Sequence, residues 1–128
     1  MKIEVSIGEV VDKITILEIK LKNITDESKL KYIQDELDIL QLSLEKEGVV
    51  VPNHLIQELR EINQKLWDTE DIIRDLENKN TFGDEFVEHA RLDAILNDKR
   101  FLVKNKINNQ CNSKIKEQKS YEGLYTTD

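Results

Sequence analysis

Apolar residues spaced alternately three and four apart constrain this chain more than any other feature. Ile7, Val10, Ile14, Leu17, Leu21 and Ile24 form the first such series. At 100° per residue these positions share one side of an α-helix, whereas a half-buried strand would need a period of two. Leu30, Ile33, Leu37, Leu40 and Leu44 repeat the rhythm. Leu55, Leu59, Ile62, Leu66, Thr69, Ile73 and Leu76 carry it through a third segment. Seams of this kind must be buried against other helices.

The breaks between the seams read as helix ends. Ser6 and Glu9 make an S-x-x-E capping box, which satisfies free amide donors at a helix start. The first helix is expected to stop near Asn23. Thr25, Asp26 and Ser28 open the second, and Gly48 sits where a C-terminal cap belongs. Val49-Val50-Val51-Pro52 is β-branched and predicts a short strand, paired with residues 2–5. Asn53 is expected to cap the third helix. Asp84, after the break at residues 78–83, is expected to cap a fourth that runs toward Glu117. The short link between the first two helices makes an antiparallel hairpin. The predicted fold is all-α: two antiparallel helical hairpins, residues 7–47 and 53–117, packed as a four-helix bundle. One domain covers residues 1–118, and residues 119–128 form a tail that is mobile or docked by its tyrosines.

Composition agrees. Of 128 residues, 38% are hydrophobic and 35% charged, with four glycines and one proline, too few turn formers for a sandwich of strands. No apolar run approaches the ~20 residues that span a bilayer. Cys111 stands alone, so no intrachain disulfide can form, and the start Met1-Lys2-Ile3-Glu4-Val5 does not read as a signal peptide. The expected location is the cytoplasm.

Charge is unevenly laid out. The net charge is −7, yet residues 99–119 hold seven Lys or Arg against Glu117 alone. A basic segment can attract nucleic acid. The acidic remainder would repel a polyanion and few aromatics are present to stack bases, so the reading preferred is a basic helix neutralising an acidic body.

The fourth helix is irregular. Phe86, Ala90, Ala94, Phe101 and Ile115 share a face with Asn97, Lys104 and Asn108, while Leu92, Ile95, Leu102 and Val103 lie elsewhere. It is also far longer than the first helix, leaving an apolar overhang. On the first helix Ile16 and Ile19 point away from the seam. A second copy covering these surfaces predicts a homodimer.

Chemical motifs are sparse. His54 and His89 are isolated, Cys111 has no C-x-x-C partner and the glycines are dispersed, so no metal and no cofactor is predicted. Glu85 and His89 read as a surface pair. Glu58-x-x-Glu61, Glu85-x-x-Glu88 and Glu9-x-x-Asp12 match the carboxylate pairs by which all-α nucleotide pyrophosphohydrolases bind magnesium, but 26 acids supply such spacings by chance. A chorismate-mutase-like site would need arginine on the first helix, which has none, and Lys13, standing in, does not restore the bidentate fork. The candidate polar constellation comprises Glu9, Lys13, Trp67, Glu70, Arg74, Asn97, Arg100, Lys104 and Asn108. If buried, the Asn97–Arg100–Lys104–Asn108 ladder must be paired, with Glu18 or Glu70 as partners. It then serves either as a device fixing helix register or as a pocket for a small anion.

The segments KIEVSIGEVVDKITILEIKLKNI, INQKLWDTEDIIRDLE, NDKRFLVKNKIN and EQKSY resemble a family of short, functionally uncharacterised helical proteins of bacteria and their viruses. The matching positions include Gly8, Glu9, Asp12, Lys13, Glu18 and Lys20 early, then Leu66, Trp67, Glu70 and Arg74. Asn97, Arg100, Lys104, Asn108, Lys119, Ser120 and Tyr121 complete them. The resemblance implies no activity and transfers no catalytic residue. It implies that the polar constellation belongs to a family pattern. The function expected is that of a non-enzymatic interaction or scaffold protein. The alternatives are a small enzyme or binding protein for a phosphorylated or anionic molecule and, third, nucleic-acid binding through residues 99–119.

Overall fold

In the computed structural model, which describes residues 1–123, the chain forms α1 (Ile7–Asn23), α2 (Glu27–Lys46), α3 (Asn53–Asn78) and α4 (Asp84–Gln110). Among the described residues there is no strand. No helix among the described residues is long and apolar enough to cross a membrane.

Local chemistry explains the helix ends. Ser6 Oγ accepts the Glu9 amide at 3.1 Å, and Asp26 Oδ1 accepts those of Ser28 and Lys29. At α3 and α4 the cap shifts by one residue. Pro52 and Gly83 precede them, so Asn53 and Asp84 become the first helical residues and neither caps with its side chain. Asp84 and Glu85 still complement the N-terminal dipole of α4. Three helices close with the same turn. Gly48, Asn80 and Asn112 adopt positive φ, and the next amide returns to Leu44, Leu76 and Asn108 respectively. The turn at Asn112 ends α4 at Gln110, short of the expected Glu117, because no amide beyond Cys111 continues the helical ladder. Residues 112–123 instead run on without regular structure.

The expected strand pair does not form. Two such short strands gain too little to hold together alone. Val51 packs against the core instead, Val50 is 87% exposed, and Ile3 and Val5 also face solvent. The β-branched run acts as an apolar link across the end of the bundle.

The packing centres on α1. One of its faces presents Val10, Ile14 and Leu17 to Leu37 of α2, with Leu21, Ile33, Leu40 and Leu44 around them. A second face presents Val11 to Leu55 and Leu59 of α3 and to Val103 and Ile107 of α4. Ile19 is 5% exposed within the single chain, so that side of α1 needs no second copy to cover it. Helix α2 packs on α1 and on no other helix, whereas α1, α3 and α4 all meet one another. The arrangement is a three-helix core with α2 laid on its outer side.

Gly8 permits the closest approach. A Cβ there would lie 2.5 Å from the Lys104 carbonyl oxygen, so α1 and α4 pack with backbone against backbone at this point. At 1.5 Å per residue α3 and α4 are each about 40 Å long against about 26 Å for α1. Their far ends therefore project as an arm, with Ile72, Phe82, Val87 and Leu92 exposed and Phe82 edge-on to Phe86.

Leu59 is fully buried where α1, α3 and α4 meet. Leu59→Ala is expected to cost about 2–5 kcal/mol. Urea unfolding followed by circular dichroism should show a lower midpoint with unchanged slope.

Candidate functional site

Two polar clusters lie along α4, whose residues 93, 97, 100, 104 and 108 recur at helical spacing. The proximal cluster is buried between α1, α3 and α4. Asp12, Asn63, Thr15, Lys104 and Asn108 are each at most 6% exposed. Asn63 Nδ2 donates to Asp12 Oδ1 and to Thr15 Oγ1, both at 2.8 Å, and Thr15 Oγ1 donates to the Asp12 carbonyl. Asn108 Oδ1 accepts the Gly8 amide at 2.7 Å, and Ser113 Oγ accepts that of Ile7. These bonds satisfy amides at the start of α1, the donors that a helix leaves unpaired.

Lys104 is the hub. Its Nζ lies 2.8 Å from Glu9 Oε2, 3.2 Å from Glu117 Oε1 and 3.9 Å from Asp12 Oδ2. Burial alone would push the ammonium down. The hydrogen bond to Glu9 and the charges of Asp12, Glu9 and Glu117 outweigh it and hold Lys104 above its ordinary range. Glu117 shows the converse: burial would raise it, but Lys119 and Lys104 bring it below the usual carboxylate range. Lys119 pairs with Glu117 at 3.1 Å and lies 5.6 Å from the Phe101 ring centroid. The segment after α4 is thereby strapped back along the bundle.

The distal cluster lies where the α3–α4 arm begins. Glu70 of α3 lies beside the carboxyl of Asp93 on α4, with Arg74 and Arg100 close enough to act on it. Asn97 Nδ2 donates to the Asp93 carbonyl at 2.9 Å and to its Oδ2 at 3.3 Å, while Asp93 Oδ1 is buried without a donor. Burial, then the neighbouring carboxyl, push Glu70 upward against the opposing pull of Arg100 and Arg74.

The structure thus divides the predicted constellation. Glu9, Lys104 and Asn108 join the proximal cluster, while Glu70, Arg74, Asn97 and Arg100 gather at the distal one. Lys13 is exposed on α1, and Trp67 is half-buried one turn before Glu70. Glu18 does not serve the ladder. It makes a two-bonded pair with Arg60 at 3.1 and 3.2 Å, because the α1 face that carries it lies against α3. The Glu9 carboxylate goes to Lys104, leaving only the Ser6 half of the predicted box. Asp12, Thr15, Asn63, Asp93, Ser113 and Glu117 were not among the predicted site residues. Asp12 and Thr15 follow Gly8 at spacings of four and three, the one signal that they share its buried face.

Chemically, the proximal cluster offers no free cation, since three carboxylates already surround Lys104. The Glu58/Glu61 and Glu85/Glu88 pairs are exposed, and His89 Nδ1 lies 2.9 Å from the Glu85 carbonyl, not from its carboxylate. Among the described residues no three His, Cys, Asp or Glu side chains are grouped to hold a metal ion. Cys111 lies 3.8 Å from the Val50 carbonyl, and burial pushes its thiol up, away from a nucleophilic thiolate.

Two outcomes follow from this geometry. Lys104→Met strands the buried Asp12 carboxylate and should cost about 3 kcal/mol, the lower end for a broken buried pair because Glu9 and Glu117 keep access to water. Denaturant titration at pH 7 measures it. Burial and the Asp93 carboxyl hold Glu70 above its ordinary value of 4.5, so its contribution to stability is full below that value and is lost as pH rises through the folded value. Glu70→Gln should therefore raise Tm at pH 7 by a few degrees, and the gain should vanish at pH 4 in thermal melts.

Residues 1–128 match the profile of DUF6165, a family of unknown function, and the chain belongs to that family. No curated protein and no solved structure matches it.

Proposed function

We propose that this protein is a non-enzymatic helical interaction protein of the cytoplasm, a scaffold that assembles with further copies of itself. The observation carrying this reading is the enclosure of Lys104 by Glu9, Asp12 and Glu117. A receptor for an anionic molecule keeps its cations available and preorganised. Here the most buried cation of the ladder is consumed in holding α1, α4 and the C-terminal strap together. Buried polar groups used this way fix register between helices. The exposed apolar groups on α2 and on the arm then remain as the surfaces on which a partner acts.

The runner-up is a small binding protein or enzyme for a phosphorylated or anionic molecule. It draws on the distal cluster, where Arg74 and Arg100 stand beside a carboxyl pair with one unpartnered oxygen. Arginines suit phosphate, and a raised carboxyl suits proton transfer. The adjoining carboxyls oppose an anion, which places this reading second.

A thermal-shift screen against nucleotides, sugar phosphates and divalent ions separates the two. The scaffold reading expects no rise in Tm from any of them, in the wild type or in Arg100→Ala. A ligand that raises the wild-type Tm and not that of Arg100→Ala would overturn it.

A further inference from the structure

Between α4 and the C-terminal strap lies a cavity of about 490 Å³, within the ~300–1,000 Å³ usual for small-molecule sites. The helix supplies one wall with Asp98, Phe101 and Leu102, which spacings of three and four place on one side of α4. The strap supplies the other with Lys119, Tyr121 and Glu122. Asp98 is 8% exposed and belongs to the deeper part of the lining, whereas Tyr121, 60% exposed, forms its rim.

Charge decides what fits. Among the described residues of the lining, Lys119 is the only Lys or Arg, and it is paired at 3.1 Å with Glu117, which does not line the cavity. Asp98 and Glu122 leave the walls net acidic. Asp98 already interacts within the chain. An ionised carboxylate offers about four acceptor positions, so it can still receive a donor from a guest. Phe101 adds a second attraction. The Lys119 ammonium lies 5.6 Å from its ring centroid, so this ring already holds a cation in the fold. An anion would meet two carboxylates and the negative face of the ring. A neutral guest would take water from a buried carboxylate and return no charge to it.

We propose that this cavity binds a small organic cation, a primary amine on an apolar body. The ammonium meets Asp98, and the body lies against Phe101, Leu102 and Tyr121. The site goes beyond the scaffold reading and does not depend on self-assembly. Lys119 opposes the guest, which makes it a useful probe: its removal acts in opposite directions on a cation and on an anion.

Phenethylamine titrated into the full chain, followed by amide chemical shifts in NMR, tests the inference. Saturable shifts are expected around residues 98–102 and 118–123, with a Kd of about 1 mM or tighter. Phenylacetate, of similar shape and opposite charge, should give none, and 2-phenylethanol should bind about tenfold more weakly. Asp98→Asn should weaken phenethylamine about tenfold, and Lys119→Met should tighten it severalfold. If Asp98→Asn fails to fold, Tyr121→Ala at the exposed rim decides, with an expected loss of about fivefold. Absence of saturable shifts, shifts centred on other residues, or phenylacetate binding as well as the amine would overturn the inference. So would an unchanged Kd in a folded Asp98→Asn or, failing that variant, in Tyr121→Ala. Weaker amine binding by Lys119→Met would also overturn it.

Discussion

A single ammonium group, that of Lys104, ties together parts of the chain that are far apart in sequence. It reaches Glu9 and Asp12 on the first helix and Glu117 beyond the last. Taking a lysine out of water is costly, and the surrounding carboxylates offset that cost only if each is held in place. The rest of the proximal cluster does this holding. Asn63 positions Asp12, Asn108 fixes the amide of Gly8, and the missing side chain at Gly8 lets α1 come close enough for all of these contacts. Apolar burial by Leu55, Leu59, Val103 and Ile107 would bring the helices together in several rotations. The polar cluster admits one of them.

That division of labour accounts for what could be read from the sequence. Helix existence was legible because the spacing of Ile7 through Ile24, or of Leu55 through Leu76, satisfies the helical period and no other. The turns at Gly48 and near Asn80 were legible for local reasons as well. Pairing partners were not. Glu9 has a local amide donor and a distant ammonium, and nothing in the neighbouring sequence says that Lys104 takes it. Asp93 was missed because its significance comes from Glu70 on another helix. The strand expected at residues 49–51 failed for a related reason: β-branched side chains favour extended backbone, but a sheet also needs a partner, and no backbone hydrogen bond joins residues 2–5 to them.

The two faces of α1 also correct an inference from amphipathicity. Ile19 lies off the main seam, which suggested a surface waiting for another molecule. A helix at the centre of a bundle is apolar on two sides because it has neighbours on two sides. Uncovered apolar groups lie instead on α2 and on the α3–α4 arm, and those of α2 are recognised only once its position on the outside of α1 is known.

The contacts that join α1 to the strap span about a hundred residues, as in the bond from Ile7 to Ser113. Synthesis on the ribosome delivers α1 first and its anchoring partners last. The α1–α2 pair can collapse early on its own apolar seam and Asp12 can meet Asn63 once α3 has emerged, but the Gly8 amide and the Lys104 contacts wait for residues 104–117. Final docking of the first helix therefore follows the emergence of residues 104–117, and a ribosome stalled before residue 104 would display that helix with part of its inner face still open.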